Sequence, residues 1–167
     1  MKSNSIRNKK KLIYFNNSII KKLKELADLS KKKRSRICIH TSQNCKTHEM
    51  IIFLKKNSYI RPHIHPNQKS ESYHVIKGKM LVYVFTKSGK TIDVIKMSSP
   101  QNGDNFYYRM NKGYYHMPIA ISDYCVYHET FSGPFKKQND VTYAEFAPPE
   151  NDQYLIKKYL KQINHKY

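Results

Sequence analysis

Tryptophan is absent from this chain, and its 167 residues include only five glycines, seven prolines and three cysteines. Cys38, Cys45 and Cys125 are odd in number and lack CxxC spacing, so neither a disulfide framework nor a zinc knuckle is expected. Reduced or buried thiols are the simpler reading. Long apolar runs are missing too: runs such as Met50-Ile-Ile-Phe-Leu54 fall far short of the roughly 20 residues that span a membrane. Leu12-Ile-Tyr-Phe15 comes after the basic Lys9 to Lys11, but it is too short for a secretory signal and lacks a small-residue cleavage site. A soluble, cytoplasmic protein without a membrane span is therefore expected. A nucleophile elbow, a phosphate loop and a dinucleotide-binding glycine pattern are also lacking. Serine hydrolase, kinase and Rossmann chemistry have little support.

Acidic residues are scarce. Against 31 Lys and Arg stand 12 Asp and Glu, a formal net charge of +19, and residues 1–36 hold 13 of the basic residues with only two acids. Such a charge can attract nucleic acid or anionic lipid. The bias is mostly lysine, however, and no Gly-rich RNA-binding signature, helix-turn-helix pattern or finger spacing accompanies it. A solvated surface is the expectation and nucleic acid is not an expected partner. Lys31-Lys-Lys-Arg34 reads as a charged connection, with a phosphate clamp as its functional alternative.

The chain is well supplied with Tyr, Ile, Val and Phe, which fit half-buried pleated surfaces and favour β-structure. The length suits one domain with a single core. Residues 1–35 form a basic N-terminal extension in which Met1 to Lys11 frays, Leu12 to Phe15 adds a short edge strand, and a cap at Asn17 or Ser18 starts a helix to about Leu29. Ile19, Leu23 and Leu26 form its apolar stripe. From Arg36 the period becomes two, with strands expected at 36–40, 49–55, 58–64, 72–77, 79–86, 91–97, 106–110, 123–131 and 141–146. Gly78 and Ser88-Gly89 supply turns, and Asn111-Lys-Gly113 brings His116 onto a strand. Asp152 caps a terminal helix within 151–167, with Ile156, Leu160 and Ile163 on one stripe. The expected fold is mainly β: a single-domain jelly roll, its barrel over 36–150, flanked by N- and C-terminal helices.

Chemistry concentrates between Ser58 and Gly78, beginning with Ser58-Tyr-Ile-Arg-Pro-His-Ile-His65. Alternate strand residues share a face, so His63 and His65 project together, about 7 Å apart along the strand. Glu71 can return as an oxygen ligand from a later strand, and His116 in Gly113-Tyr-Tyr-His116 supplies a third imidazole. Three imidazoles and a carboxylate suit one divalent transition ion, Fe, Mn, Ni, Cu or Zn, without selecting among them. His74 has the opposite parity to Glu71 and is read as packing or hydrogen bonding. Arg61 shares the parity of the histidines and is a candidate for binding substrate. Tyr59 and Tyr73 share faces with the ligands and are candidate catalytic acids.

His63-x-His65, Glu71 and Gly78 resemble the first cupin motif, and Gly113-x-x-His116 resembles the second. The spacing from His65 to Glu71 is longer than usual, and Asn111 and Ala120 replace the customary proline and asparagine of the second motif. A narrower resemblance runs from Arg34-Ser-Arg36 and His40 through Tyr59 to Pro66, then His128-Glu-Thr-Phe-Ser-Gly-Pro134 and Glu145 to Glu150. Over these segments the chain resembles the WbuC family of cupin-fold metalloproteins. That resemblance implies a cupin double-stranded β-helix, a metal cofactor and a setting in surface-polysaccharide, including lipopolysaccharide, biosynthesis. It implies no settled reaction, and spacing alone gives no role to Arg34, Arg36, His40 or Glu129, which lie in its matching segments. The expected function is metal-dependent isomerisation, epimerisation, lyase or oxygenase chemistry on a small anionic or sugar-like metabolite. The alternative is a non-catalytic, metal-bearing sugar or metabolite binding module. A homodimer is expected by analogy of fold.

Overall fold

The computed structural model describes residues 5–7, 10–66, 69–111 and 113–164. The expected fraying of Met1 to Lys11 therefore falls partly outside the described residues, as do Asn67 and Gln68 between His65 and Glu71, Lys112 of the expected turn, and residues 165–167 of the expected terminal helix. Nine strands are described: β1 (Ser5–Arg7), β2 (Arg34–Cys38), β3 (Thr47–Lys55), β4 (His63–Ile64), β5 (Glu71–Phe85), β6 (Thr91–Ser98), β7 (Tyr107–Met110), β8 (Tyr115–Ser132) and β9 (Thr142–Tyr143). Helices α1 (Asn17–Asp28), α2 (Lys137–Asp140) and α3 (Gln153–Asn164), with a 3-10 turn at Pro100–Asn102, complete the described elements. No helix among the described residues is long and apolar enough to cross a membrane.

The two long strands organise the molecule. β5 and β8 run antiparallel from Glu71↔Phe131 to Phe85↔Tyr115, with register shifts between Val75 and Lys77 and between Gly78 and Met80. Beyond β8 the order continues β3, β2, β1, while β5 also pairs with β6 and β7. This mainly β sheet folds over on itself without closing into the expected barrel. Gly78 is not the expected hairpin turn. It lies inside β5 at φ +87°, and a Cβ there would stand 2.2 Å from the Tyr124 carbonyl oxygen. The glycine lets one strand bend from one half of the fold to the other while keeping β8 as its partner.

Several local expectations are corrected. Residues 58–62 form no strand, because polar contacts outside a ladder hold them: the Lys55 carbonyl accepts from Ser58 N–H, the Tyr59 carbonyl from Arg34, and the Pro62 carbonyl from Ala144 N–H. Leu12 to Phe15 lies outside any strand, and Ser5–Arg7 supplies the edge instead, parallel to β2. The strand expected at 123–131 begins at Tyr115 and carries His116, and that expected at 141–146 shrinks to Thr142–Tyr143.

The helices cover the sheet's outside. Asn16, rather than Asn17 or Ser18, caps α1, its side chain accepting from Ser18 N–H. Leu23 and Ala27 are fully buried against Ile37, Ile51, Phe53 and Val126. Those sheet residues alternate with the inward-facing Arg36, Cys38, Met50, Ile52 and Tyr127, so α1 seals one face while the other remains available for a cavity. At the C-terminus, Asp152 Oδ1 accepts from Leu155 N–H. Ile156 and Ile163 are buried beside Tyr59, Tyr83, Phe85 and Met117, with Leu160 packed against the same cluster.

Candidate metal centre and its cavity

Antiparallel pairing of β4 with β8 sets His63 directly opposite His116. His65 comes just after β4, and Glu71 is the first residue of β5. One ligand atom from each of His63, His65, Glu71 and His116 lies within 4.8 Å of all the others. The ring centroids are 4.4 Å apart for His63 and His116, 5.0 Å for His63 and His65, and 5.4 Å for His65 and His116. Gly113 permits the close approach of this corner, since a Cβ there would lie 2.7 Å from the His65 carbonyl oxygen.

The hydrogen bonds fix the orientation of each ring. His63 Nδ1 lies 3.1 Å from the Arg61 carbonyl oxygen, His65 Nδ1 2.8 Å from that of Asp140, and His116 Nδ1 3.0 Å from that of Tyr114. A carbonyl only accepts, so each Nδ1 carries its proton and donates. Each Nε2 is then a lone pair in the neutral ring. Yet His65 Nε2 stands 2.9 Å from Glu71 Oε2, and His116 Nε2 stands 3.0 Å from Glu71 Oε1. The second contact is misaligned for a hydrogen bond, and neither of its atoms has another partner. Acceptors facing acceptors in a buried pocket require positive charge between them.

Electrostatics limits how much of that charge can be protons. Burial raises the Glu71 carboxyl, but His116 and His65 outweigh it and hold the group well below the usual glutamate range. His116 is raised because the Glu71 carboxylate overcomes its burial. His63 goes the other way: burial, then the neighbouring His116 and His65, push it down to about 3. One imidazolium is tolerated beside Glu71, whereas a single multivalent cation satisfies all four side chains. The donor set and its carbonyl-anchored Nδ1 groups fit a transition ion.

A cavity of about 450 Å3 opens beside the quartet. Tyr73 lines it, packed on Tyr127 and Tyr108 at centroid distances of 4.9 and 5.4 Å, and its burial raises the hydroxyl well above the ordinary value. Tyr59 is not brought to the cavity; its hydroxyl donates to the Pro148 carbonyl at 2.9 Å and its ring meets Tyr159. Arg61 is also held away, with Nε and Nη2 donating to the Ala144 carbonyl at 3.0 and 2.6 Å. His74 is exposed beside Phe106, as its parity implies.

Two carboxyls matter that spacing alone did not assign. Asp140 receives Lys136 N–H on Oδ2 at 2.6 Å and pairs with Lys69 through Oδ1 at 2.8 Å, which fixes the loop whose carbonyl orients His65. Glu129 lines the cavity from β8 and makes no hydrogen bond or ion pair among the described residues. Burial, then the Glu71 charge, pushes its carboxyl up to about 8, against the pull of His65 and Arg36. The signal for Glu129 was its parity with Tyr127 and Phe131, which becomes informative only once β8 is known to pair with β5.

The fold is that of a cupin. An oxalate oxidase solved with the substrate analogue glycolate is similar over 81% of this chain and 67% of its own, at 13% identity and TM-score 0.53. The capsular polysaccharide assembling protein CapF from Staphylococcus aureus is similar over 67% of this chain and 29% of its own, at 18% identity and TM-score 0.51. Procruciferin, the 11S globulin of Brassica napus, matches 58% of this chain at 13% identity and TM-score 0.45, and this chain spans 22% of its length. A family model described as "Domain of unknown function (DUF6016)" matches residues 15–97. No curated protein matches the sequence.

Proposed function

We propose that this chain is a metal-dependent enzyme acting on a small, polar, anionic metabolite derived from carbohydrate, in surface-polysaccharide biosynthesis. The observation that carries the metal reading is the convergence of His63, His65, Glu71 and His116, whose ligand atoms lie within 4.8 Å of one another with both Glu71 oxygens against imidazole Nε2 atoms. His63, His65, Glu71 and His116 would hold one divalent ion from among Fe, Mn, Ni, Cu and Zn. When bound, such an ion supplies polarisation of a substrate oxygen or a lowered pKa for bound water.

The chain's own residues supply the rest. Glu71 is taken by the two histidines and Glu150 by Lys32 and Arg34, which leaves Glu129 as the cavity-lining glutamate able to take or give a proton at its carboxyl oxygen. Tyr73 keeps its proton and offers a hydrogen-bond donor beside the quartet. Proton movement of this kind serves isomerisation, epimerisation or lyase chemistry. The polysaccharide setting is supported by the WbuC-like segments and by the similarity to CapF, a capsular polysaccharide assembling protein. A cytoplasmic homodimer completes the proposal.

Elemental analysis of protein purified without a histidine tag tests the centre directly. Near-stoichiometric metal, lost in a His63→Ala/His116→Ala variant, is expected, and no uptake after reconstitution with several divalent ions would sink the reading. With metal loaded, turnover of nucleotide sugars or sugar acids is expected in the parent. Glu129→Gln should retain metal and lose turnover by about 100-fold or more.

A further inference from the structure

The cavity extends from the quartet toward the β1–β2 edge, and its charges there do not balance. Arg7, Arg36 and Lys137 line it, and none forms an ion pair among the described residues. Arg36 makes no hydrogen bond there either, while Arg7 has one long contact, 3.4 Å to the Thr41 carbonyl. Arg34 and Lys32 differ: both are held by Glu150. Glu129 lines the same cavity and forms no ion pair with Arg36 among the described residues. The register makes this wall continuous. Arg36 pairs with Ile52 and Ile52 with Tyr127, all three on the cavity face, while Ser5 and Arg7 flank Arg36 and Cys38 on β1.

The same register gives a length. β2 is separated from β5 by β3 and β8, three strand spacings, or about 14 Å along the curved sheet from Arg36 to the strand that carries Glu71. Val75, the β5 residue in that row, lies four positions beyond Glu71, so the two ends are offset along β5 as well. The cavity of about 450 Å3 that both ends line has room for a ring-sized molecule with an anionic group at one end.

We propose that Arg36, assisted by Arg7, forms an anion subsite that holds the phosphoryl or carboxyl group of a sugar-sized substrate whose other end lies at the histidine quartet. The forked guanidinium suits either oxyanion through paired, charge-assisted hydrogen bonds. This deepens the proposed function and rests on the cavity being its substrate site.

Calorimetric titration of the full chain with inorganic phosphate and, separately, with acetate tests the subsite. Arg36→Gln, Arg36→Lys and Lys157→Gln are compared with the parent. Lys157 is exposed on α3, so its loss controls for the general positive charge. Arg36→Gln should weaken at least one probe by about 10- to 100-fold, Arg36→Lys by less, and Lys157→Gln not at all. Phosphate binding alone assigns a phosphoryl group, acetate binding alone a carboxyl group, and binding of both a general oxyanion site. Equal weakening by Arg36→Gln and Lys157→Gln, no effect of Arg36→Gln, or no binding by the parent would overturn the proposal. Metal content measured on the same samples separates the two readings. Arg36-dependent binding in metal-free protein upholds the subsite while the metal reading fails.

Discussion

Each histidine of the quartet is oriented by a backbone carbonyl, so the groups that hold those carbonyls matter as much as the ligands. Asp140 is the clearest case: its side chain ties down Lys136 N–H and Lys69, while its carbonyl accepts from His65 Nδ1. Asp140→Asn should leave all four ligands in place and weaken metal affinity by about 10- to 100-fold, measured by competition with a chelator of known affinity. Glu150 works at a distance from the quartet, joining Lys32 and Arg34 to the segment before α3 at 2.6 and 2.8 Å. Burial raises its carboxyl, but Arg34 and Lys32 outweigh burial and hold it below the ordinary value of 4.5. Its stabilisation is therefore full above that pH and is lost as pH falls through the lower folded-state value. Glu150→Gln should cost about 1 to 2 kcal/mol at neutral pH, and the difference from the parent should vanish in acid urea titrations.

Among the elements, β5 depends most on one residue. Gly78 has a positive φ and no room for a Cβ against Tyr124, so Gly78→Ala should destabilise the fold by about 1 to 3 kcal/mol in urea denaturation. A helix-side change behaves differently. Leu23 is fully buried between α1 and the outer sheet face, and Leu23→Ala should cost about 2 to 5 kcal/mol. Metal content of the folded fraction should stay unchanged, since α1 packs on the face opposite the cavity. The amphipathic stripes of α1 and α3 were legible from their 3.6-residue spacing. Gly78 was misread as a turn because an isolated glycine between two alternating runs signals a hairpin and a mid-strand bend equally well.

At the scale of the molecule, a bound ion links chemistry to stability. Metal that binds only the folded chain stabilises it by about 2.7 kcal/mol when free metal is 100 times Kd. For a chain of this size that is a rise in Tm of roughly 5 to 10 °C. Differential scanning calorimetry should show the rise in the parent, its reversal by chelator, and no rise in the His63→Ala/His116→Ala variant. The positive charge also takes on a local meaning: Arg36 and Arg7, exposed like most of the lysines, line the cavity.

The sequence by itself determined the β-rich class, both covering helices and the four side chains of the quartet, because period, capping and the His-x-His repeat are local properties of the chain. Only the tertiary structure decided that Arg61 and Tyr59 are held elsewhere and that Arg36 and Glu129 face the cavity instead. The parity of a residue within its own strand does not reveal what lies across from it. Glu71 and Glu129 are 58 positions apart in the chain, and they share a site because β5 pairs with β8 in one register. That register is set by long-range pairing and by burial of the faces together, and no local stretch of sequence carries it.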